Sequence, residues 1–372
     1  MTYPNIRSNR SSAHLDDTSL MQIKIQPFTV NKRVPLRISR GTTSHTTNIW
    51  LRLEADGIEG WGEATPFSIG SQQQTTAELM SALAEVIPVL EKFHPLQRQA
   101  IHQTLSDSTW QRIPSAVIAA VDMALHDWLG KKANLPLWQL WGLDATKSVP
   151  ISVTVGINSP TGAQERVKKW LEVFDAQFFK LKMGSPEGIA ADQAMFLAVE
   201  QLVPTAKFTV DANGGWELAD AIEMSAWLAD RGVAYIEQPL RRGDEANLPA
   251  LQKASVLPIF VDESCFVSAD LPGLVDRVAG INIKLMKCGG LSEALRMIHA
   301  ARAWGLQVMI GCYSDSCLSN TAAAHIGSLV DHLDLDSHLN LLEDPFVGAT
   351  IQDGRLIPSN LPGLGASLKS VP

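Results

Sequence analysis

Three stretches, FTVDAN at 208–213, VAYIEQP at 233–239 and IFVDES at 259–264, each place an acidic residue at the end of a short apolar run. Two lysine-bearing runs flank them, FFKLKMG at 178–184 and INIKLMKCGG at 281–290. Segments with helical periodicity separate the runs, and this alternation is typical of a parallel barrel. In such a barrel the carboxyl ends of the strands all face one mouth. The runs therefore predict a barrel that gathers acidic and basic side chains at one end.

Eight strand-like runs fit into the second half of the chain, which is the number that a (β/α)₈ barrel needs. They cover residues 148–155, 178–183, 208–211, 234–237, 258–262, 281–286, 306–310 and 332–336. The first part of the chain instead has three strands followed by three helices, and we interpret it as an α+β unit. These elements cover residues 22–30, 47–54, 57–62, 75–92, 96–106 and 114–131, and a loop is predicted at 31–45.

The predicted fold class is α/β, a modified (β/α)₈ TIM-type barrel with an α+β capping domain. We place the capping domain at residues 21–135 and the barrel, with the active site, at 136–345. Residues 346–372, rich in Gly, Pro and Ser, are expected to fold back onto the capping domain. The polar segment 1–20 is expected to be a poorly ordered extension.

Composition excludes several functional classes. The 372 residues carry a net charge of −8 without a cluster of Lys and Arg, which disfavours nucleic acid and anionic membranes as partners. No apolar run reaches the 18 or so residues of a membrane span, and the N-terminus lacks the apolar core of a secretory signal. The four cysteines form no CxxC motif, so we expect reduced, buried thiols. A cytoplasmic location follows from this interpretation.

Three carboxylates, Asp211, Glu237 and Asp262, end consecutive predicted strands. Oxygen ligands without a cysteine or histidine favour Mg²⁺ or Mn²⁺ over Zn²⁺. A single acidic residue at such a position often only caps the next helix. Three of them at one mouth favour a metal site, and we predict one Mg²⁺ per subunit.

Lysines lie on both sides of these carboxylates. Lys180 and Lys182 alternate with Leu181 and so share the inner face of the second strand, while Lys284 comes from the sixth strand, nearly opposite. Repulsion and desolvation lower a lysine pKa towards the range of a general base. The alternative is a pair of surface lysines. Lys287 is expected on the opposite face of its strand and is ranked second.

Taken together, these motifs resemble the enolase superfamily, specifically its muconate-lactonising subgroup, from about Met21 to the C-terminus. The resemblance implies that Lys182 and Lys284 are the two acid/base groups, working with bound Mg²⁺. It implies that Lys180 lowers the pKa of Lys182 and touches the substrate carboxylate. Asn213 and Glu263 are expected to support the site.

On the eighth predicted strand, Asp334 and Asp336 resemble the Asp-x-Asp signature of dipeptide epimerases, whose carboxylates bind the free ammonium group of a dipeptide. Alternation puts both on one face. Where that family continues with small residues, this chain has Ser337 and His338. The alternative is that the two aspartates are solvated or cap a helix.

Two further features are weaker. Asp315, at the end of the seventh strand, resembles an acidic position in the subgroup, and we include it among the substrate-binding candidates. Arg33, Arg37 and Arg40 lie in the predicted loop of the capping domain, which in this superfamily closes over substrate. Arg40 is our candidate for pairing with an acidic substrate side chain, although surface arginines are common.

The sequence thus favours an isomerase that epimerises a dipeptide at the α-carbon of its C-terminal residue, with L-Ala-L-Glu as the first substrate to test. N-succinylamino acid racemisation, o-succinylbenzoate synthesis and muconate cycloisomerisation are alternatives on the same scaffold. A small-molecule binder without activity is disfavoured because every lysine and carboxylate of the motif is present. The oligomeric state stays open, with a homo-oligomer as one option.

Overall fold

The structure is a computed structural model that describes residues 20–70, 72–106 and 113–369. The predicted extension at 1–20 lies outside these residues, apart from Leu20. Among the described residues, no helix is long and apolar enough to cross a lipid bilayer.

An antiparallel sheet of three strands forms the base of the N-terminal unit. Strand β1 (Gln22–Ile38) pairs with β2 (Gly41–Ala55), and β2 pairs with β3 (Ile58–Ala64). Apolar residues alternate along β2 so that Leu51 and Leu53 are buried while their neighbours are not, as expected for a sheet with one covered face.

The predicted loop at 31–45 is wrong, because the first two strands continue through it as one long hairpin. The pairing runs from Gln22 opposite Glu54 to Ile38 opposite Gly41, with a register shift after Asn31. Such a register shift interrupts the alternation of buried and exposed residues. Without that alternation, the sequence pattern indicated a loop. The hairpin tip projects over the barrel mouth.

Helices cover the inner face of the sheet. They are α1 (Thr76–Leu90), α2 (Arg98–Ser106) and α3 (Ser115–Ala133), and a small hairpin of β4 (Phe67–Ile69) and β5 (Gln72–Gln74) precedes them. Strand β3 lies directly on α3, where a Cβ atom on Gly62 would come within 1.9 Å of the Ala120 carbonyl oxygen. Glycine is therefore required for this packing.

Eight parallel strands form the second unit, joined side by side in chain order. They are β6 (Val153–Val155), β7 (Phe178–Lys182), β8 (Lys207–Asp211), β9 (Ile236–Glu237), β10 (Ile259–Val261), β11 (Gly280–Ile283), β12 (Gln307–Gly311) and β13 (His332–Asp334). The barrel closes where Ile151 pairs with Leu333 and the Ser152 amide donates to the Leu333 carbonyl at 2.8 Å. The predicted modified barrel with a capping unit is confirmed.

Helices connect the strands on the outside of the barrel. They are α5 (Pro160–Leu171), α6 (Ile189–Leu202), α7 (Leu218–Ala229), α8 (Leu248–Ala254), α9 (Leu285–Cys288), α10 (Leu291–Ala303) and α11 (Cys317–Ala324), and the short α4 (Leu137–Leu140) precedes the barrel. Two strands end two or more residues earlier than predicted. The sixth ends at Ile283 because α9 begins there, and the eighth ends at Asp334, so that Asp336 lies beyond it.

The C-terminal segment contacts the N-terminal unit. Its strands are β14 (Phe346–Val347), β15 (Thr350–Gln352), β16 (Arg355–Ile357) and β17 (Ser367–Leu368), paired as β14 with β17 and β15 with β16. The Phe346 ring packs edge-on against Trp61 at 5.9 Å between centroids. The Leu364 amide donates to Asp127 of α3 at 2.7 Å. This segment therefore ties the barrel to the capping helices.

Candidate active site

The three predicted metal ligands lie side by side at the carboxyl end of the barrel. Asp211 and Glu237 are the last residues of β8 and β9, and they are direct neighbours in the parallel ladder. Asp262 follows β10 immediately. All three side chains are buried. The pairing order of the strands, rather than any local motif, brings them together.

Each of these carboxylates faces a lysine ammonium group. The Nζ–carboxylate distances are 2.5 Å for Lys182–Asp211, 2.5 Å for Lys180–Glu237 and 2.8 Å for Lys284–Asp262. In the described part of the chain, no three carboxylate, imidazole or thiol groups converge closely enough to coordinate one ion. In this structure each of the three carboxylates is therefore paired with a lysine ammonium group.

The chemistry of the cluster nevertheless fits a divalent cation. Oε2 of Glu237 is paired with the Lys180 ammonium at 2.5 Å, whereas the buried Oε2 of Glu263 makes no hydrogen bond within the described residues. Buried acceptor oxygens without a donor are costly unless another group satisfies them. The donor set contains only oxygen, the preference of Mg²⁺. Asp211, Glu237 and Asp262 are thus the residues able to hold it.

Asn213 and Glu263, the predicted supporting residues, lie on the Asp211 side of the carboxylate cluster and form hydrogen bonds there. The Asn213 amide donates to Oδ1 of Asp211 at 2.8 Å, and its side chain donates to Oδ2 at 3.1 Å. Asn213 adopts a left-handed backbone with φ of 46°, which turns its side chain back to the aspartate. The same side-chain nitrogen lies 3.3 Å from Oε1 of Glu263.

Arg40 has a different partner from the one that we expected. At the tip of the β1–β2 hairpin, it donates to Oε1 of Glu263 at 2.6 Å and to the Asn213 carbonyl at 2.9 Å. The adjacent Ser39 hydroxyl donates to the same carbonyl at 3.0 Å. The guanidinium is therefore engaged by the barrel in this structure, and it holds the hairpin tip beside the proposed metal ligands.

Lys287 belongs to the site more closely than the sequence suggested. Because β11 ends at Ile283, Lys287 lies on the first turn of α9 and points back into the barrel. Its buried Nζ donates to Oδ1 of Asp262 at 2.6 Å and to the Asn282 carbonyl at 2.8 Å. Asn282 in turn donates to Oε1 of Glu237 at 2.6 Å. These two residues fix the orientation of two carboxylates from the β11 side.

The surrounding carboxylates set the protonation of the lysines. Burial by itself lowers the pKa of Lys180, but Asp334 and Glu237 outweigh it and hold the pKa well above the ordinary value. Burial likewise lowers the pKa of Lys284, but the attraction of Asp262 and its neighbours outweighs it, so this pKa is also raised. The expectation of a lowered lysine pKa is therefore wrong for Lys180 in this structure. The reason is that its ammonium group lies 2.5 Å from Glu237 and 2.6 Å from Asp334, whose attraction outweighs desolvation.

Asp334 and Asp336 border the same cavity, although the strand ends at Asp334 and its alternation does not extend to Asp336. Oδ2 of Asp334 accepts from Lys180 at 2.6 Å, and its Oδ1 accepts from the Ser152 hydroxyl at 3.2 Å. Oδ2 of Asp336 accepts from the Thr154 amide at 2.6 Å. Neither aspartate caps a helix through its side chain, so one of the alternative roles that we considered for them is not seen.

Two adjacent cavities lie between the hairpin and the barrel mouth. The aspartate cavity, about 250 Å³, is bordered by Asp334, Asp336 and Lys182. The lysine cavity, about 540 Å³, is bordered by Lys182 and Lys284. They share Lys32, Leu36, Thr42, Lys182, Cys312 and Tyr313. Lys182 is thus common to both, and a ligand that spans them passes directly beside it.

Asp315 is not part of either cavity. It is buried against the capping unit, next to Glu63. Burial of Glu63 and, after it, the negative charge of Asp315 raise the pKa of Glu63 to about 8. Glu63 accepts from the Ser316 amide at 3.0 Å and the Ser319 amide at 3.2 Å, at the start of α11. The position of Asp315 thus favours a role at the junction of cap and barrel over substrate contact.

The other two arginines of the predicted loop separate. Arg37 lies at the edge of the aspartate cavity, half-exposed, and pairs with Glu187 at 3.1 Å. Arg33 borders a different groove, on the outer side of α5. Neither is held in the lysine cavity, where a side chain next to the reacting carbon would lie.

An aromatic wall that the sequence did not reveal covers one side of the lysine cavity. Phe67 of β4 stacks on Tyr313 with 4.6 Å between the ring centroids and an angle of 5°. On its far side, the Lys284 ammonium lies 4.5 Å from the Tyr313 ring centroid. Tyr313 follows the end of a barrel strand, which is a signal that could have found it. Phe67 lies in the capping unit, and only the tertiary structure brings it here.

Comparisons with known proteins agree with this geometry. Residues 21–142 match the family model of the mandelate racemase/muconate lactonizing enzyme N-terminal domain, and residues 163–370 match that of the enolase C-terminal domain-like family. The chain is 46% identical over 356 residues to a hydrophobic dipeptide epimerase of Flavobacteria bacterium (strain MS024-2A), which covers 94% of this chain and 99% of that protein.

Two further relatives have related names. An L-Ala-D/L-Glu epimerase of Bacteroides thetaiotaomicron is 32% identical, over 93% of this chain and 87% of that protein. The crystal structure of a dipeptide epimerase of Enterococcus faecalis V583, complexed with Mg and the dipeptide L-Leu-L-Tyr, superposes with a TM-score of 0.86. It is 29% identical and covers 94% of this chain and 99% of that chain.

Proposed function

Because this chain belongs to the mandelate racemase/muconate lactonizing enzyme family of the enolase superfamily, we propose that it is a Mg²⁺-dependent dipeptide epimerase. It is an isomerase that inverts the α-carbon of the C-terminal residue. The observation that carries the proposal is the pair of adjacent cavities, since one is bordered by two aspartates and the other by two lysines, with Lys182 common to both.

The two aspartates determine the orientation of the bound dipeptide. The ammonium group of the N-terminal residue binds beside Asp336 and Asp334 in the aspartate cavity, where a charge-assisted hydrogen bond is favourable. The C-terminal residue then extends past Lys182 into the lysine cavity. This orientation places its α-carbon between Lys182 of β7 and Lys284, which follows β11. In a closed barrel of eight strands the second and sixth lie opposite each other, which supports attack on two faces.

The lysines carry the proton transfer. One neutral lysine takes the α-proton, and the other, protonated, returns a proton to the opposite face. Both side chains are at least nine-tenths buried, and exclusion of water strengthens every charge interaction in the cavity. Lys180 binds Asp334 and Glu237 and so connects the ammonium site to the carboxylate site.

Asp211, Glu237 and Asp262 are the residues that would hold Mg²⁺, and the bound ion would supply charge stabilisation for the substrate carboxylate as the α-proton leaves. The all-oxygen donor set, and the buried Oε2 of Glu263 that makes no hydrogen bond within the described residues, support this assignment. Asn213, Asn282 and Lys287 orient the ligands through the hydrogen bonds described above. Arg40 closes the hairpin tip over them.

The side chain of the C-terminal residue lies against Phe67 and Tyr313. An apolar or aromatic side chain fits this wall better than a carboxylate, because Arg40, the cation expected to bind a glutamate side chain, is paired with Glu263. The name of the 46% identical relative supports the same preference. We therefore place L,L-dipeptides with an apolar second residue, such as L-Leu-L-Tyr, ahead of L-Ala-L-Glu as substrates.

A free dipeptide should be a far better substrate than its N-acetyl or N-succinyl counterpart. Loss of one partner of a buried ion pair typically costs about 2–5 kcal/mol, or roughly 30-fold to several-thousand-fold in binding. We expect Asp336→Asn to reduce kcat/KM for L-Leu-L-Tyr with little change in thermal stability. The measurement is kcat/KM for the matched free and N-acylated substrates with both enzymes.

Asp331→Asn is the control, because this aspartate lies before β13 and faces Arg302 away from the cavities. It should leave the ratio of free to acylated substrate unchanged. Equal rates for the two substrates, or a preference for the N-succinyl compound, would contradict the dipeptide assignment. That outcome would favour an N-succinylamino acid racemase or o-succinylbenzoate synthase instead.

A further inference from the structure

Arg166 is a buried cation whose role the proposed mechanism does not explain. It lies on α5, with 8% of its surface exposed, and it borders the aspartate cavity. Among the described residues its guanidinium makes no hydrogen bond and no ion pair within 4.0 Å. The guanidinium lies over the face of the Trp170 ring, whose centroid lies 3.9 Å from Cζ.

An unpaired buried charge is costly, and an arginine cannot escape that cost by losing its proton. Burial lowers the pKa of Arg166 to about 10, which is still well above neutral pH. Surface arginines of the same chain, such as Arg302, find a carboxylate within 2.7 Å. A fully charged guanidinium beside the substrate cavity therefore points to an electrostatic role there.

A chain of contacts connects Arg166 with Asp336. Arg166 stacks on Trp170, the indole Nε1 of Trp170 donates to the Thr154 carbonyl at 2.8 Å, and the Thr154 amide donates to Asp336 at 2.6 Å. These contacts fix the guanidinium and the carboxylate on the same wall of the aspartate cavity. The two charges therefore border the same cavity and attract each other without direct contact.

Several other charged or titratable groups surround Asp336, and two of the cations, Lys182 and Arg37, border the same cavity. Asp334, two residues earlier, repels it, and the Cys312 side chain at the end of β12 adds no positive charge. Lys32 on the hairpin faces Asp336 from the capping unit, but its ammonium donates to the Ser314 hydroxyl at 2.8 Å. Burial is the largest effect, and together with Asp334 it raises the pKa of Asp336 to about 6, while the hydrogen bond from the Thr154 amide and, after it, the charge of Arg166 lower it.

We propose that Arg166 is a positioning residue that keeps Asp336 ionised, so that the cavity selects substrates with a free ammonium group. This inference rests on the proposed function, in which Asp336 binds that ammonium. Arg166 itself does not contact substrate. It acts through the charge state of a neighbouring carboxylate.

The experiment compares the wild type with Arg166→Gln over a range of pH, with L-Leu-L-Tyr as substrate and Mg²⁺ present. Because Arg166 lowers the pKa of Asp336, its removal should raise that pKa, and we take about one unit, the lower end of the shifts that a neighbouring opposite charge causes. A one-unit rise from about 6 would lower the ionised fraction of Asp336 about fivefold at pH 6 and hardly at all at pH 9. We expect KM to rise about fivefold at pH 6, with kcat unchanged.

Two matched variants accompany it. Arg166→Lys keeps the positive charge and should restore most of the wild-type pH profile. Lys169→Gln removes an exposed charge from the same helix and should change nothing. Circular dichroism and thermal melting show whether Arg166→Gln is folded; Arg166→Met replaces it if it is not.

A KM ratio between variant and wild type that is the same at pH 6 and pH 9 would overturn the inference, because damaged packing raises KM at every pH. A loss restricted to dipeptides with an acidic first residue would also overturn it, since Arg166 would then contact substrate. The wild type tests the premise separately. If it does not prefer free over N-acetyl dipeptide, the proposed function fails, whereas failure of Arg166→Gln alone leaves that function intact.

Discussion

Lys182→Met and Lys284→Met enzymes should each lose net epimerisation, yet each should still exchange the α-hydrogen of one epimer of the substrate with solvent. The reason is that each lysine serves one face of the α-carbon. With Lys182 replaced, Lys284 can still remove and return a proton on its own side. We expect Lys182 to serve the L epimer. Removal of a general acid or base typically costs about 10²–10⁴-fold, so net turnover should fall about 10³-fold or more.

The measurement is deuterium incorporation from D₂O into the separate L,L and L,D dipeptides, followed by mass spectrometry. Lys253→Met is a suitable control because this lysine lies exposed on α8. If either active-site variant still epimerised at near the wild-type rate, the two-base assignment would be wrong. If both lost exchange from both epimers, the lysines would not act on separate faces.

Asp211→Asn should abolish activity while the protein stays folded, and EDTA should do the same to the wild type until Mg²⁺ is restored. A lysine base alone is too weak for a carbon acid of this kind. The metal contributes several kcal/mol of charge stabilisation, and each 1.36 kcal/mol is a factor of ten in rate. We therefore expect losses of about 10³-fold or more.

The test follows turnover together with Mn²⁺ binding by electron paramagnetic resonance, which does not depend on activity. Asp230→Asn, at an exposed position after α7, is the control and should bind Mn²⁺ as the wild type does. Full turnover in a metal-stripped sample would contradict the mechanism. Unchanged Mn²⁺ affinity in Asp211→Asn would remove this aspartate from the ligand set.

The barrel and the core of its site could be predicted because they depend on local patterns. In a parallel barrel, the position at the end of each strand and the alternation along it decide which side chains meet. Asp211, Glu237 and Asp262 follow from the first rule, and the pair Lys180 and Lys182 from the second. Both the fold class and the family are confirmed by the structure and by the comparisons.

What the sequence did not predict depends on contacts between distant segments. The register shift after Asn31 is the reason that the length of the hairpin was not predicted. Because β11 ends early, Lys287 lies on a helix and its side chain contacts Asp262. The pairing of Arg40 with Glu263 joins residues 223 positions apart, and no periodicity reports such a partner. Arg166 lies on a helix among ordinary charged residues, so only the finished cavity distinguishes it.

The central claim is that this enzyme inverts the C-terminal α-carbon of a free dipeptide, and proton NMR of L-Leu-L-Tyr with the Mg²⁺-loaded wild type in D₂O tests it most directly. We predict that the α-proton signal of the tyrosine residue disappears and that signals of the L,D epimer grow in. The leucine α-proton signal should stay at full intensity. Loss of the leucine signal, or no exchange at either carbon across a panel of free L,L-dipeptides, would contradict the claim.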